Sequence, residues 1–205
     1  MEKLKAGLFY SLGRVYLSPD LLANSEPKLL HISDTPAGFY AQLKRIITKV
    51  KPHYIVHTGD LIDDIKLNLN ASRIKEYTQG VSRLIEMLES SSAREIYITM
   101  GNHDNKEAIS KEIARSILYE NSAVVSIENT EFKISHYAKY SLRSPADFNL
   151  FGHDLTLKSQ ILKGKFFLNG IQNINIIALN SKKVFSLPYP LGTNESRLGK
   201  FKIGM

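Results

Sequence analysis

The first half of the chain alternates between short apolar runs and longer amphipathic segments. Three runs have the length and apolar content of buried strands: residues 28–33, 53–58 and 95–100. Three segments place apolar side chains at helical spacing: residues 38–50, 72–90 and 105–119. Pro52 ends the first of these helices. The pattern therefore predicts a β-α-β-α-β-α order.

The second half has a different pattern, in which apolar and polar residues alternate. Residues 124–127 and 132–135 predict a hairpin around residues 128–130. Further strands are predicted near residues 148–151, 165–168 and 174–179. The tail after Leu187 is predicted to be a loop that packs on the body. Together the two halves indicate an α/β layered fold with an added antiparallel sheet.

The domain organisation follows from chain length and from one break near the N-terminus. A chain of 205 residues is expected to form one main domain. Residues 1–26 are predicted to be an N-terminal extension, with a helix before the break at Pro19 and Asp20. Residues 27–205 are predicted to be the single domain.

Composition narrows the chemistry that the chain can perform. The apolar fraction of 43% is typical of globular proteins and excludes a disordered or collagen-like chain. The absence of cysteine excludes disulfides, zinc–thiolate sites and cysteine nucleophiles. Any metal site must therefore use His, Asp, Glu and Asn.

Net charge and targeting signals bear on partners and location. The 27 basic and 20 acidic residues leave a net charge of +7, which favours anionic ligands such as phosphate esters. Because the basic residues are dispersed, nucleic acid is a candidate partner but not the favoured one. No apolar run is long enough for a membrane span, and residues 1–13 lack a convincing cleavage site, so a cytoplasmic location is expected.

Polar residues cluster directly after the predicted strands, where ligands bind in open α/β sheets. The candidates are Asp34, Asp60, Asp63, Asn102, His103, Asp104, His136, His153 and Asp154. Such side chains suit Mn, Fe, Zn or Mg. Singly, Asp34 is also typical of a helix cap and His136 of a structural histidine. His31, His53 and His57 lie within strands and are interpreted as structural.

The order of these elements is more specific than any one of them. Gly59-Asp60-Leu61-Ile62-Asp63, Gly101-Asn102-His103-Asp104, His136 and Gly152-His153 follow successive strands. This order resembles the calcineurin-like metallophosphoesterases over about Leu29 to Leu155. The resemblance implies a layered sandwich of two β-sheets flanked by helices. It also implies metal-dependent hydrolysis of phosphomonoesters or phosphodiesters, and a homodimer as a candidate assembly.

The resemblance also implies a role for each matching residue. Asp60, Asn102, His136 and His153 would bind one metal ion, and Asp34 with the shared Asp60 would remain for another. His103 would protonate the leaving oxygen, with Asp63 orienting its ring. Asp104 and Asp154 are auxiliary candidates, Asp154 as a replacement ligand.

Two positions depart from the family pattern. Pro36 and Leu155 stand where the family has metal-binding histidines, and both would serve the same metal. The expectation is therefore one tightly held divalent ion, Mn before Fe, Zn, Ni or Mg, with a second ion weak or absent. The alternative hypothesis is a non-catalytic scaffold or partner-binding protein on the same fold.

Overall fold

Two β-sheets stack face to face in the computed structural model, which describes residues 2–198, with side chains from residue 4 onward. The strands are β1 (Lys28–Ile32), β2 (Tyr54–His57), β3 (Glu95–Thr99), β4 (Ile117–Tyr119), β5 (Ser122–Ile127), β6 (Thr130–Ser135), β7 (Phe148–Phe151), β8 (Gln160–Leu162), β9 (Lys165–Asn169), β10 (Asn173–Ala178) and β11 (Lys183–Pro188). The helices are α1 (Glu2–Ser11), α2 (Pro19–Ala23), α3 (Tyr40–Val50), α4 (Ile74–Glu89), α5 (Lys106–Glu112), α6 (Ala138–Arg143) and α7 (Thr193–Arg197).

The first sheet has the spatial order β11-β10-β1-β2-β3-β4. Its central strands β1 to β4 are parallel, and β10 and β11 add antiparallel strands at one edge. The second sheet has the order β5-β6-β7-β9-β8, in which β6, β7 and β9 are parallel neighbours. The carboxyl ends of the parallel strands carry the predicted site residues, so the topology determines where the site lies.

Two apolar layers hold the sheets and helices together. In β1, Leu30 and Ile32 face the helices, whereas Leu29 faces the second sheet. Side chains of α3 and α4, such as Leu43 and Leu84, complete the first layer. The second layer includes the stacked rings of Phe132 and Phe148. Parallel strands buried on both faces are nearly continuous apolar runs, which explains the sequence pattern.

The predicted layered sandwich of two sheets flanked by helices is confirmed, and so is the β-α-β-α-β-α order. The hairpin is also confirmed: Ile127 pairs with Thr130, and Glu128 and Asn129 adopt positive φ angles of 46° and 59°. Such a two-residue turn matches the twist of the strands that it joins.

Three predictions about elements are wrong: the antiparallel added sheet, the loop in the tail and the full length of the third helix. The added sheet is mixed rather than antiparallel, because β6, β7 and β9 run parallel. Over the described residues 188–198, the tail contains the end of β11 and then α7 rather than only a loop, and its remaining residues lie outside the described part of the chain. The helix predicted before Pro19 is present as α1, and Pro19 itself begins the further helix α2, which Ser18 caps by accepting from the Leu21 amide at 3.2 Å.

The helix predicted over residues 105–119 ends at Glu112. The carboxylate of Glu89 accepts hydrogen bonds from the backbone amides of residues 114, 115 and 116, the last at 2.8 Å. These contacts hold the chain in a non-helical path, after which β4 pairs with β3. A contact from a distant helix therefore overrides the local helical pattern.

The N-terminal segment is tied to the domain. Val15, Leu17 and Leu21 are buried in the helix-side layer, and the Arg45 Nη1 atom donates to the Val15 carbonyl at 2.8 Å. The division into residues 1–26 and 27–205 stays a prediction. Within the described part of the chain, no helix has both the length and the apolar character needed to cross a bilayer.

Candidate metal centre

Five loops meet at one edge of the sandwich, each at the end of a strand. The loops after β1, β2 and β3 carry Asp34, Asp60 and Asn102, and those after β6 and β7 carry His136 and His153. Asp34, Asp60 and His153 line a cleft of about 360 Å³ with Asp63, Lys66 and His103. A larger groove of about 550 Å³ runs along α4 but is lined by residues outside the strand ends. The smaller cleft is therefore the candidate site.

Backbone hydrogen bonds join these loops to one another. The amides of Asp34 and Thr35 donate to the carbonyl oxygens of Gly59 and Asp60, each at 2.9 Å. On the other sheet, the Gly152 amide donates to the His136 carbonyl at 3.0 Å. The cleft side chains are thus carried on a connected backbone framework.

Three of the predicted ligands have left-handed backbone conformations. The φ angles are 50° for Asp34, 54° for Asp60 and 69° for His153. Such angles are costly for residues with a Cβ atom, by about 1 kcal/mol each, and they cluster at functional sites. The surrounding hydrogen bonds hold this strain, which supports a functional interpretation of the cleft.

The geometry of His136 fits a metal ligand. Its Nδ1–H donates to the Thr58 carbonyl oxygen at 2.7 Å, so Nε2 carries a lone pair. That Nε2 atom lies 3.0 Å from the Asn102 Oδ1 atom and 3.5 Å from the Asp60 Oδ2 atom. These three atoms can each bind a cation through a lone pair, so a metal ion placed among them would satisfy all three. Candidate ligand atoms of Asp60, His136 and His153 lie within 4.8 Å of one another.

The electrostatics around Asp60 also favour a cation. Its side chain is 2% exposed. Burial, followed by the nearby carboxylates of Asp104 and Asp34, raises the pKa of Asp60 well above its ordinary value. A divalent ion would remove this penalty by stabilising the ionised carboxylate.

Asp34 lines the same cleft and contacts the backbone of His153. Its Oδ2 atom accepts from the Ser33 hydroxyl at 2.5 Å and from the His153 amide at 3.1 Å. Asp154 Oδ1 accepts from the amide and hydroxyl of Thr156, at 2.8 and 2.7 Å. The auxiliary candidate Asp154 therefore forms a turn at the cleft mouth.

The two departures from the family pattern lie in different places. Leu155 lines the cleft and offers it only apolar surface. Pro36 lines a neighbouring cleft together with Phe39 and Pro190. The two positions therefore do not share one wall of the candidate site.

His103 and Asp63 both reach the cleft but do not hydrogen-bond to each other. The His103 Nδ1 atom contacts the Asn68 Oδ1 atom, and Asp63 pairs with the ammonium group of Lys66. In the structure the hydrogen-bond partner of the His103 ring is thus Asn68 rather than Asp63, and the role of Asp63 stays a prediction. Burial, then Lys66 and His136, lowers the pKa of His103 to about 4.

Asp104 lies behind the cleft and holds two loops together. One carboxylate oxygen accepts from the amides of Asp60 and Gly101, each at 2.8 Å. The other accepts from the Leu61 amide at 2.9 Å and from the Tyr77 hydroxyl at 2.8 Å. This auxiliary candidate is thus placed to position the backbone around Asp60.

Sequence analysis missed four residues of this neighbourhood: Lys66, Asn68, Tyr77 and Arg197. Arg197 is 2% exposed and donates to the carbonyl oxygens of Ser33, Asp34 and Ile171. Tyr77 follows a helical apolar pattern that indicates only burial. The partners of Asn68 and Arg197 are distant in the chain, so no local signal distinguishes these two residues. Lys66 follows Asp63 by three residues, but such a spacing is too common to single it out.

Comparison with known proteins identifies the family. A family model described as calcineurin-like phosphoesterase matches residues 27–198. The chain belongs to the calcineurin-like phosphoesterase family, whose members bind divalent metals and act on phosphoesters. The family predicted from the strand-end motifs is thereby confirmed. No curated protein sequence matches the chain.

Solved structures share the fold at low sequence identity. An archaeal phosphodiesterase is 16% identical with a TM-score of 0.54, covering 78% of this chain and 98% of that chain. YfcE, a phosphoesterase from E. coli, is 14% identical with a TM-score of 0.52, covering 79% and 98%. Vps29 from Entamoeba histolytica is 17% identical with a TM-score of 0.47, covering 77% and 88%. At these identities, the first two likenesses show the fold alone.

Proposed function

We propose that this chain is a metal-dependent phosphoester hydrolase that works with one tightly held divalent ion. The substrate class is a phosphomonoester or phosphodiester. The observation that carries the proposal is the convergence of three atoms that can bind a metal: His136 Nε2 lies 3.0 Å from Asn102 Oδ1 and 3.5 Å from Asp60 Oδ2. His153 completes the set, with a ligand atom within 4.8 Å of those of Asp60 and His136.

The donor set indicates the kind of ion. Two imidazole nitrogens, one carboxylate and one amide oxygen form a mixed set suited to Mn, Fe, Zn or Ni, and Mn is our first expectation. An ion held there would neutralise phosphate oxygens and lower the pKa of a water molecule. Asp34 supplies a further carboxylate at the cleft, so a second ion would be held weakly.

The residues of the chain then supply orientation and a proton. His103 lines the cleft and its Nε2 atom lies 3.9 Å from the Asp60 Oδ2 atom, beside the proposed ion. Its low pKa makes the protonated ring a strong acid, and the negative charge of a bound phosphate would favour protonation. Asn68 accepts from Nδ1–H, so Nε2 of the neutral ring carries a lone pair and accepts from the Asn102 side-chain amide at 3.1 Å. A proton taken up at Nε2 when phosphate binds would replace this contact. His103 is thus the proposed donor to the leaving oxygen.

The test separates metal binding from chemistry. Metal-stripped protein is titrated with Mn²⁺ by calorimetry, and hydrolysis of p-nitrophenyl phosphate and of its bis-ester is measured. We expect one tight ion in the wild type. His136→Gln should lose both the ion and hydrolysis. His103→Gln should keep the ion and lower turnover by roughly 10²–10⁴, the range for a general acid.

His53→Gln is the matched control. His53 directly precedes β2, at the amino end of the strand, whereas the candidate site lies at the carboxyl ends of the strands. It should leave metal content and turnover unchanged. A wild type that holds its ion but hydrolyses neither ester would favour the non-catalytic alternative. Unchanged turnover in His103→Gln would remove His103 from the mechanism.

A further inference from the structure

One lysine side chain enters the cleft on the side where Asp34 and Asp63 lie. Lys66 lines the same cleft as these two carboxylates and His103. Its ammonium group pairs with the Asp63 carboxylate, and the two side chains are 28% and 3% exposed. A positive charge is therefore placed against a buried carboxylate inside the candidate site.

The loop around Lys66 is ordered by its own contacts. The amides of Leu69 and Asn70 donate to the Lys66 carbonyl oxygen at 3.0 and 2.9 Å. On either side, Ile65 is buried in the helix-side layer and Leu67 packs against it. Because both neighbours are anchored in the core, the lysine side chain is directed away from the core and into the cleft.

The buried carboxylates of the cleft require a neighbouring positive charge. Asp34, Asp60 and Asp63 are each 2% exposed. Buried carboxylates are costly unless they are paired. One divalent ion neutralises two of the three, and the ammonium group of Lys66 neutralises the third. Burial and Asp34 raise the pKa of Asp63 to about 7, and Lys66 opposes this shift.

Arg197 also lines the cleft, but its charge is used elsewhere. Its guanidinium donates to the carbonyl oxygens of Ser33 and Asp34 at 3.1 and 2.6 Å, and to that of Ile171 at 2.8 Å. Its Cζ atom lies 4.0 Å from the centre of the Tyr189 ring. Arg197 therefore secures the backbone behind Asp34, whereas Lys66 contacts a carboxylate of the cleft directly.

We propose that Lys66, rather than a second divalent ion, balances the carboxylates on the Asp34 side of the cleft and binds an oxygen of the substrate phosphate. The inference rests on the proposed function, since it assumes one ion on the His136 side. A lysine is suited to this role as a compact point charge on a flexible stem. It can exchange a carboxylate for a phosphate oxygen without moving the backbone.

The test replaces Lys66 by Met, which keeps the length of the side chain and removes its charge. Mn²⁺ binding is followed by calorimetry, and inorganic phosphate binding is measured at a Mn²⁺ concentration that fills the first site only. We expect Lys66→Met to bind a second ion at least about tenfold more tightly than the wild type. Its phosphate affinity should fall by at least about tenfold, the contribution of one charge-assisted hydrogen bond.

Lys75→Met, on the exposed face of α4, is the charge-matched control and should behave as the wild type. Thermal unfolding of each variant monitors folding, and Lys66→Gln provides a second variant should the Met variant unfold. Unchanged affinity for the second ion, or for phosphate, would overturn this proposal and leave the proposed function intact. A folded wild type that binds no ion would overturn the proposed function itself.

Discussion

At the scale of single residues, two members of one sequence motif, Asn102 and Asp104, have different structural roles. His136 and Asn102 direct acceptor atoms at a common point. Asp104, within the same motif as Asn102, instead accepts three backbone amides and one hydroxyl behind the cleft. A carboxylate that satisfies so many donors contributes to the shape of the site rather than to its ligand set.

Replacing Asp104 by Ala should destabilise the metal-free protein by about 3 kcal/mol or more, because three buried amides lose their acceptor. Tyr77→Phe removes a single donor to the same carboxylate and should cost about 1–2 kcal/mol. Urea unfolding, followed by circular dichroism, measures both free energies. Equal losses in the two variants would contradict the role assigned to the backbone contacts of Asp104.

At the scale of elements, the loops of the two sheets approach each other too closely for extra side-chain atoms. A Cβ atom on Gly152 would lie 1.9 Å from the Ser33 hydroxyl and 2.4 Å from Asp34 Oδ2. The Ser33 hydroxyl oxygen also lies 3.2 Å from the Thr58 carbonyl oxygen, so it has little freedom to move. The loop after β7 therefore requires glycine for a packing reason that follows from the contact between sheets.

Gly152→Ala should destabilise the protein by about 1–3 kcal/mol, the usual cost of overpacking, and should weaken Mn²⁺ binding by displacing His153. Gly38→Ala is the control, because no atom beyond its chain neighbours lies within 4 Å of the position that the new methyl group would occupy. That variant should change stability by no more than about 0.5 kcal/mol. Thermal unfolding and metal titration measure the two effects. If both variants were equally stable, the loop after β7 would be able to shift and accommodate the added methyl group, contrary to this prediction.

At the scale of the whole molecule, buried histidines couple stability to pH. The His57 Nδ1 atom accepts from the Gly59 amide at 3.2 Å, so its Nε2–H donates to the Thr35 hydroxyl at 2.9 Å. His31 is also fully buried, with Nε2 3.0 Å from the Thr58 hydroxyl. Burial lowers the pKa of each ring to about 3. Both rings are therefore neutral in the folded protein at ordinary pH.

Because the folded pKa of His57 lies below its unfolded value, its contribution to stability is present above about pH 6.5. That contribution is lost as the pH falls toward 3. The raised pKa of Asp63 increases stability as the pH falls, which opposes the effect of His57. The pH dependence of the variant must therefore be compared with that of the wild type. His57→Gln should reduce the slope of unfolding free energy between pH 6 and 4 by about 1.4 kcal/mol per pH unit. Urea unfolding at several pH values checks this, and parallel curves would contradict it.

Local patterns in the sequence were sufficient to predict many of the helices and strands. The helical spacing in α3 and α4 and the apolar runs of β1, β2 and β3 reflect burial against both layers, so they predict those elements. The short strands β4, β8 and β11 were missed. These strands are mostly exposed or half-buried, so they lack the apolar run that marks β1 to β3. In addition, β4 exists because Glu89 ends the helical path before it and β3 pairs with it.

The sequence by itself determined the family, the order of the main elements and which polar residues follow each strand, because these are properties of neighbouring residues. Only the tertiary structure decided how those residues are used. It paired Asp63 with Lys66 and His103 with Asn68, and it placed Pro36 outside the cleft that Leu155 lines. The physical reason is that these pairings depend on the path that each loop takes in the folded chain and on which loops the sheets bring together, and no local pattern encodes that path.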